Sequence, residues 1–156
     1  MNILSQLKST FINWLIANIP VMPIRLVVYR LFGMKIGNGS NLYWGLEIRG
    51  SRHIEIGEDT SIGHDCKLDG RFKLIIGNHV NLSSEVMIWT AQHEINNLKF
   101  KAVGSAVEIC DWAWISTRAI ILPGIRIGRG GVPAKHIGYR SSNLDYDLCA
   151  NTAVFL

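Results

Sequence analysis

From Met1 to Gly45 this 156-residue chain carries no Asp or Glu, although Lys8, Arg25, Arg30 and Lys35 fall there. Long hydrophobic runs are missing too. Phe11 to Met22 is interrupted by Asn13, Asn18 and Pro20, too broken for a spanning helix of about 20 apolar residues. No small-residue cleavage site follows a basic start, so a signal peptide is not expected. Cysteine is scarce: Cys66, Cys110 and Cys149 are odd in number, irregular in spacing and include no C-x-x-C pair. That argues against a disulfide framework and a zinc ribbon, and fits reduced thiols in a cytoplasmic protein. Charged residues make up only 18% against 48% hydrophobic, a balance that excludes a disordered chain. The basic residues are not gathered on one helix and no nucleic-acid motif is visible, so nucleic acid is not an expected partner. A net charge of +4 suits anionic small molecules or a membrane surface at least as well.

Within the acid-free segment, Leu4, Leu7, Phe11, Leu15 and Ile16 recur at helical spacing. Pro20 and Pro23 are expected to break that helix, and Ile24 to Phe32 to form a second. Residues 1–35 are therefore read as a helical segment. It can cap one end of a β domain, or lie on an anionic membrane with Trp14 and the cations among headgroups. The two readings are compatible, and they place the protein in the cytoplasm with peripheral contact at the inner face of the membrane.

Fifteen glycines point to many turns, and the middle of the chain shows why. Ile36, Leu42 and Ile48 are six apart, as are Ile56, Ile62 and Leu68, then Ile76, Leu82 and Ile88. Ile109, Ile115, Ile121 and Ile127 resume the period. A 3.6-residue helix drifts off a strict six, and an ordinary strand alternates every two residues. Six fits a hexapeptide repeat, in which each hexad is a short strand plus a corner and three hexads make one coil. Glycines right after anchors (Gly37, Gly57, Gly63, Gly77, Gly128) are expected at tight corners with unusual backbone angles. The residue four after the anchor (Ser40, Thr60, Cys66, Val80, Val86, Ala113, Ala119) is expected to point inward. Four coils or slightly more follow, over residues 36–130, with 131–156 as a C-terminal tail. Two added residues at Ile54-Glu55-Ile56, a loosened corner at Gly70 to Leu74, and a longer excursion from His93 to Gly104 interrupt them. A loop thrown out of a rigid solenoid is where function tends to sit.

The stretches "NLSSEVMIWTAQHE", "VEICDWAWISTRAIILPGIRIGRG" and "GVPAKHIG" resemble the hexapeptide-repeat acetyltransferases, including the maltose, galactoside and capsular polysaccharide O-acetyltransferases. The resemblance covers about Ile36 to Gly138, and the N-terminal segment is similar to the polysaccharide-acetylating branch. It implies a left-handed parallel β-helix, acetyl-CoA as co-substrate, a sugar hydroxyl of a polysaccharide or its precursor as acceptor, and a homotrimer with sites between subunits. It implies His93 as general base, a role an imidazole with a pKa of about 6.5 can fill at neutral pH. Asp69 and Glu94 are implied as acceptor-binding groups, Asp69 alternatively as a group that orients His93, and Asp69 is also readable as a turn residue bonding its own backbone. Trp114, Thr117 and Lys135 are implied as contacts to acetyl-CoA, with the Thr117 backbone N–H facing the thioester oxygen. Trp112 and Trp114, two apart on one expected strand, would point the same way.

No metal is expected. His64, His79 and His93 are too evenly separated for a zinc set, and His53 and His136 are read as structural. Cys66, at an inward slot, reads as a core residue. The chain departs from the resemblance after Gly130. Relatives continue there with about one further coil, on the order of 20 residues, before "GxPAK". Its absence would remove part of the CoA wall and expose the edge of the last coil. Two alternatives therefore stand beside O-acetylation: N-acetylation of an amino sugar on a nucleotide, and a shortened non-catalytic trimeric scaffold.

Overall fold

The aliphatic anchors do wind the chain into flat-sided coils. The computed structural model describes residues 7, 10, 12–16, 19–94, 98–131 and 136–137. Three parallel sheets form the sides of a β-helix. The first side holds β1 (Lys35–Ile36), β4 (Ile54–Ile56), β7 (Leu74–Ile76), β12 (Val107–Ile109) and β15 (Arg126–Ile127). The second holds β2 (Asn41–Leu42), β5 (Ser61–Ile62), β8 (Asn81–Leu82) and β13 (Trp114–Ile115). The third holds β3 (Glu47–Arg49), β6 (Lys67–Asp69), β9 (Met87–Ile88), β14 (Ile120–Ile121) and β16 (His136–Ile137). Anchor stacks on anchor: Ile36, Ile56, Ile76, Ile109 and Ile127 are paired in register up the first side. These aliphatic columns, buried together with the inward residues four places on, form one continuous core. Cys66 is part of that core; burial pushes its thiol up to about 11, which makes it inert as a nucleophile.

Between sides lie three kinds of corner. The first and second corners repeat one turn in every coil, and its left-handed residue is the third after the anchor. At the first corner this is Gly39, Asp59, His79, Trp112 and Gly130; at the second, Gly45, Asp65, Glu85 and Arg118. The glycine right after the anchor does a different job from the one expected. Gly37, Gly57, Gly63 and Gly77 are not in the left-handed region. They are small because coils touch there: a Cβ on Gly57 would lie 2.4 Å from Asn78 Oδ1 and 2.6 Å from the Gly77 carbonyl carbon. Trp112 also departs from expectation. It occupies the turn at φ 64°, not strand β13, and stacks on His79 with ring centroids 4.2 Å apart.

The N-terminal segment caps the open end of the first coil. Helix α1 (Met22–Leu31) has Pro23 in its first turn, where a missing N–H costs nothing, so Pro23 opens the helix instead of breaking one. Edge strands leave backbone groups unpaired, and one side chain serves each side. Arg30 Nε and NH2 donate to the Ile36 carbonyl at 3.2 and 3.0 Å. The buried Arg25 guanidinium donates to the Leu42 carbonyl at 3.1 and 2.6 Å and also to Ile19 O. Asn13 Oδ1 accepts from the Ile48 N–H at 2.7 Å. Tyr29 is fully buried beside Arg25; burial pushes its phenol up to about 12, and its hydroxyl has no partner among the described residues.

At the other end pairing continues past Gly130. The Trp114 N–H donates to Gly131 O at 2.9 Å, and Ile121 pairs in register with Ile137. The fourth coil is thus paired on all three sides. The chain needs ten residues from Ile127 to Ile137 where the coil below needs twelve, from Ile109 to Ile121.

Candidate active site

The third corner is where the coils differ. It is a short 3-10 turn (Ser51–His53) after the first coil and a turn through Gly70 and Lys73 after the second. After the third coil it becomes an antiparallel hairpin, β10 (Ala91–His93) paired with β11 (Ala102–Gly104). The register of the coils survives the insertion, since Ile76 still pairs with Ile109. Two paired strands therefore flank the expected excursion, and His93 sits on the first of them, exposed.

His93 Nδ1 lies 2.6 Å from the carbonyl oxygen of Phe100. A carbonyl can only accept, so Nδ1 carries the proton. In the neutral ring this contact fixes the tautomer, with the lone pair on Nε2. The hairpin ladder holds the bond in place: His93 pairs with Ala102, and the Glu94 N–H donates to Lys101 O at 2.9 Å. Glu94 is exposed directly beyond His93.

Asp69 does not lie open to an acceptor. It is 1% exposed, and its carboxylate is occupied. Oδ1 accepts from Arg71 N–H and Nε at 3.0 and 2.9 Å, and Oδ2 from Arg71 NH2 at 2.9 Å and Thr90 N–H at 3.2 Å. Burial pushes its carboxyl upward, but the Arg71 guanidinium and these N–H donors outweigh that and hold it below the usual range. Of the sequence readings, the turn residue bonding local backbone describes this geometry. Sequence reasoning missed its partners. Thr90, fully buried, has a hydroxyl that accepts from Phe72 N–H at 3.0 Å and a carbonyl that accepts from Ser105 N–H at 3.0 Å. Asp69, Arg71, Phe72 and Thr90 thus clamp the base of the hairpin. Gly104 lies under the Phe72 ring, where a Cβ would come within 2.4 Å. The readable signal was Asp-Gly-Arg beside an apolar residue at a corner that breaks the repeat.

Trp114 and Thr117 stand elsewhere on the chain. Trp114 is 52% exposed on the second side, and its Nε1 donates to Ser83 Oγ at 3.0 Å. Thr117 is exposed in the second-corner turn. Both are separated from the third-corner hairpin by the whole third side, about 20 Å for a hexad. A single chain does not bring them to His93. His64 and His79 lie at the second and first corners, His64 stacked on Trp44 at 5.0 Å. Lys135 lies outside the described residues.

A three-sided coil with hexad anchors and a hairpin at one corner defines a hexapeptide-repeat β-helix. No family model matches the chain. It is 28% identical over 118 residues to WcaF of Escherichia coli K12, named for acetyl transfer in colanic acid biosynthesis, covering 76% of this chain and 63% of that protein. The chain thus spans under two thirds of that relative's length. A hexapeptide-repeat acetyltransferase of Vibrio cholerae, solved with acetyl coenzyme A, superposes with a TM-score of 0.75 at 22% identity, over 83% of this chain and 72% of that one. A maltose O-acetyltransferase of Clostridium difficile gives 0.69 at 27%, over 88% and 81%. The fold is the left-handed parallel β-helix, and the chain is similar in sequence and fold to hexapeptide-repeat acetyltransferases.

Proposed function

We propose that the protein moves an acetyl group from acetyl-CoA to a sugar hydroxyl of a polysaccharide or its precursor, with His93 Nε2 as the general base. The observation that carries this is the Nδ1 contact of the exposed His93 to the Phe100 carbonyl beside the paired strands β10 and β11. With Nδ1 donating to that carbonyl, the neutral ring would offer Nε2 as the acceptor, and His93 is exposed. The alcohol proton passes to Nε2 as its oxygen attacks the thioester carbonyl, and CoA leaves as the thiol, reprotonated by the imidazolium. The comparisons support the donor and the sugar class, since the relatives are named for acetylation and for sugars.

In this reading the active unit is a homotrimer. His93 on the third corner and Trp114 with Thr117 near the second cannot meet within one chain, so a neighbouring subunit would present its second corner to the hairpin. Lys135 would reach the CoA phosphates, and Glu94 would bind the acceptor beside His93. Asp69 would act as a positioning residue through Thr90. Among the described residues no helix is long and apolar enough to cross a membrane, and the reading places the enzyme in the cytoplasm.

Purified protein given acetyl-CoA and a panel of sugars should release free thiol and yield a base-labile acetyl ester. Release unchanged in His93→Ala removes the proposed base. An acetyl product stable to hydroxylamine shows that the acceptor is an amine.

A further inference from the structure

Helix α1 has two faces, and only one of them is used by the solenoid. Arg25 and Tyr29 point into the protein. On the other side Ile24, Val27 and Leu31, spaced three and four apart, form one stripe that is 53, 53 and 80% exposed. Val21 precedes the stripe at 49%, and Trp14 is 74% exposed on the preceding turn. Arg30 and Arg52 flank the helix's C-terminal end, Arg52 packing its stem against Gly33. Neither has a carboxylate within ion-pair distance among the described residues, whereas Lys35 shares Glu55 with Lys73.

We propose that this face is a docking surface for an anionic lipid bilayer. The aliphatic stripe would enter the boundary between headgroups and acyl chains, with Arg30 and Arg52 against lipid phosphates. Charge selects this occupant over a second copy of the chain. An isologous contact would place the same cations against each other around a stripe on a helix that itself carries no acidic residue. Orientation follows from the caps. Arg25 reaches the second side and Arg30 the first, so α1 lies across the end of the solenoid and the bilayer plane runs parallel to the coils. The His93 hairpin leaves the third coil, two steps of about 4.8 Å above the first. With the helix beneath, about 10 Å thick, His93 stands roughly 20 Å from the membrane surface. If the acetyl-transfer reading holds, that height suits a glycan carried on a lipid.

The full chain should float with vesicles of equimolar phosphatidylglycerol and phosphatidylcholine, not with phosphatidylcholine alone, and high salt should release it. Ile24→Gln, Val27→Gln and Leu31→Gln together should lower partitioning about a hundredfold, with the melting temperature and thiol release on free sugars unchanged. Arg52→Gln, remote from the helix core, should lower it about fivefold. Several results would overturn the proposal: no flotation of the unmodified chain, equal flotation on neutral vesicles, or flotation of the triple variant equal to that of the parent. A smaller oligomer in the triple variant would also overturn it and make the face a contact between copies. Flotation and thiol release are separate readouts, so either reading can fail alone.

Discussion

The first two corners of the solenoid and the third obey different rules. The first two repeat one turn coil after coil, with the left-handed residue always third after the anchor, even where it is Asp59, His79, Glu85, Trp112 or Arg118. The third changes shape over the first three coils, from a short turn to the hairpin joining β10 and β11, without disturbing the anchors on either side, and takes up the common rule only after the fourth, with Gly124 left-handed three after Ile121. Side pairing supplies the core and fixes the register, so one corner can vary freely provided its two ends return to the same place. The proposed base, His93, sits at that corner.

Substituting one residue of each kind separates the two roles. His93→Ala should cut acetyl transfer about a thousandfold, the range for losing a general base, while leaving the melting temperature unchanged because the ring is exposed. Thiol release and a thermal melt check both halves. Gly57→Ala should do the reverse, destabilising the fold by about 3 kcal/mol, or roughly 10 °C, because its Cβ meets the backbone of the next coil. Gly130→Ala is the control for conformation alone. It has φ 70° and, among the described residues, nothing within 4 Å of the added carbon, so about 1 kcal/mol is expected. Equal losses at Gly57 and Gly130 would mean that backbone angle, not close approach, explains both.

The difference between corners also explains what could be read in the sequence. The six-residue period of Ile36, Ile56, Ile76 and Ile109 gave away the coils, because an inward anchor tolerates little but an aliphatic residue. Buried slots such as Cys66 and Ala119 were legible for the same reason. The place of His93 on an excursion was legible from the break in period. The left-handed residues were not, because Asp, His, Glu, Trp and Arg share no chemistry that marks such a turn. The Asp69 clamp was half legible. An Asp at a loosened corner could be seen, but its bond to the Thr90 N–H joins one coil to the next. The caps from Asn13, Arg25 and Arg30 were invisible for a similar reason, since their acceptors and donors are backbone groups.

Asp69→Asn tests the base of the variable corner. Its carboxylate is sealed while the Arg71 side chain remains 44% exposed, so the loss should be about 2 kcal/mol, less than for a fully buried pair. The pH dependence has a definite sign. The Asp69 carboxyl is held below its ordinary value in the folded protein, so its contribution is complete above about pH 4 and is lost as pH falls through the depressed value. Melting temperature should therefore fall more steeply with acidification in the parent than in Asp69→Asn. If the hairpin is aimed through Thr90, kcat should fall in Asp69→Asn with KM nearly unchanged, and Asp69→Glu should restore part of it.

The smallest effect probes the regular corners. Asp59 holds φ 49° with its side chain 60% exposed and only a 3.8 Å approach to His79 Nδ1. The neighbouring coil uses Gly39 at the same place in the turn. Replacing Asp59 by glycine removes the clash of Cβ with the backbone in the left-handed region, which stabilises. It also frees the unfolded chain, which destabilises. Aspartate tolerates this region better than most residues, so the gain should be about 0.5 kcal/mol, visible as a rise of about 1–2 °C in the melting temperature. His79→Gly, by contrast, gains the same backbone relief but loses the stack on Trp112, and should leave the melting temperature level or lower. A rise at Asp59 and none at His79 would show that stacking along the outer column compensates for strain the turn imposes.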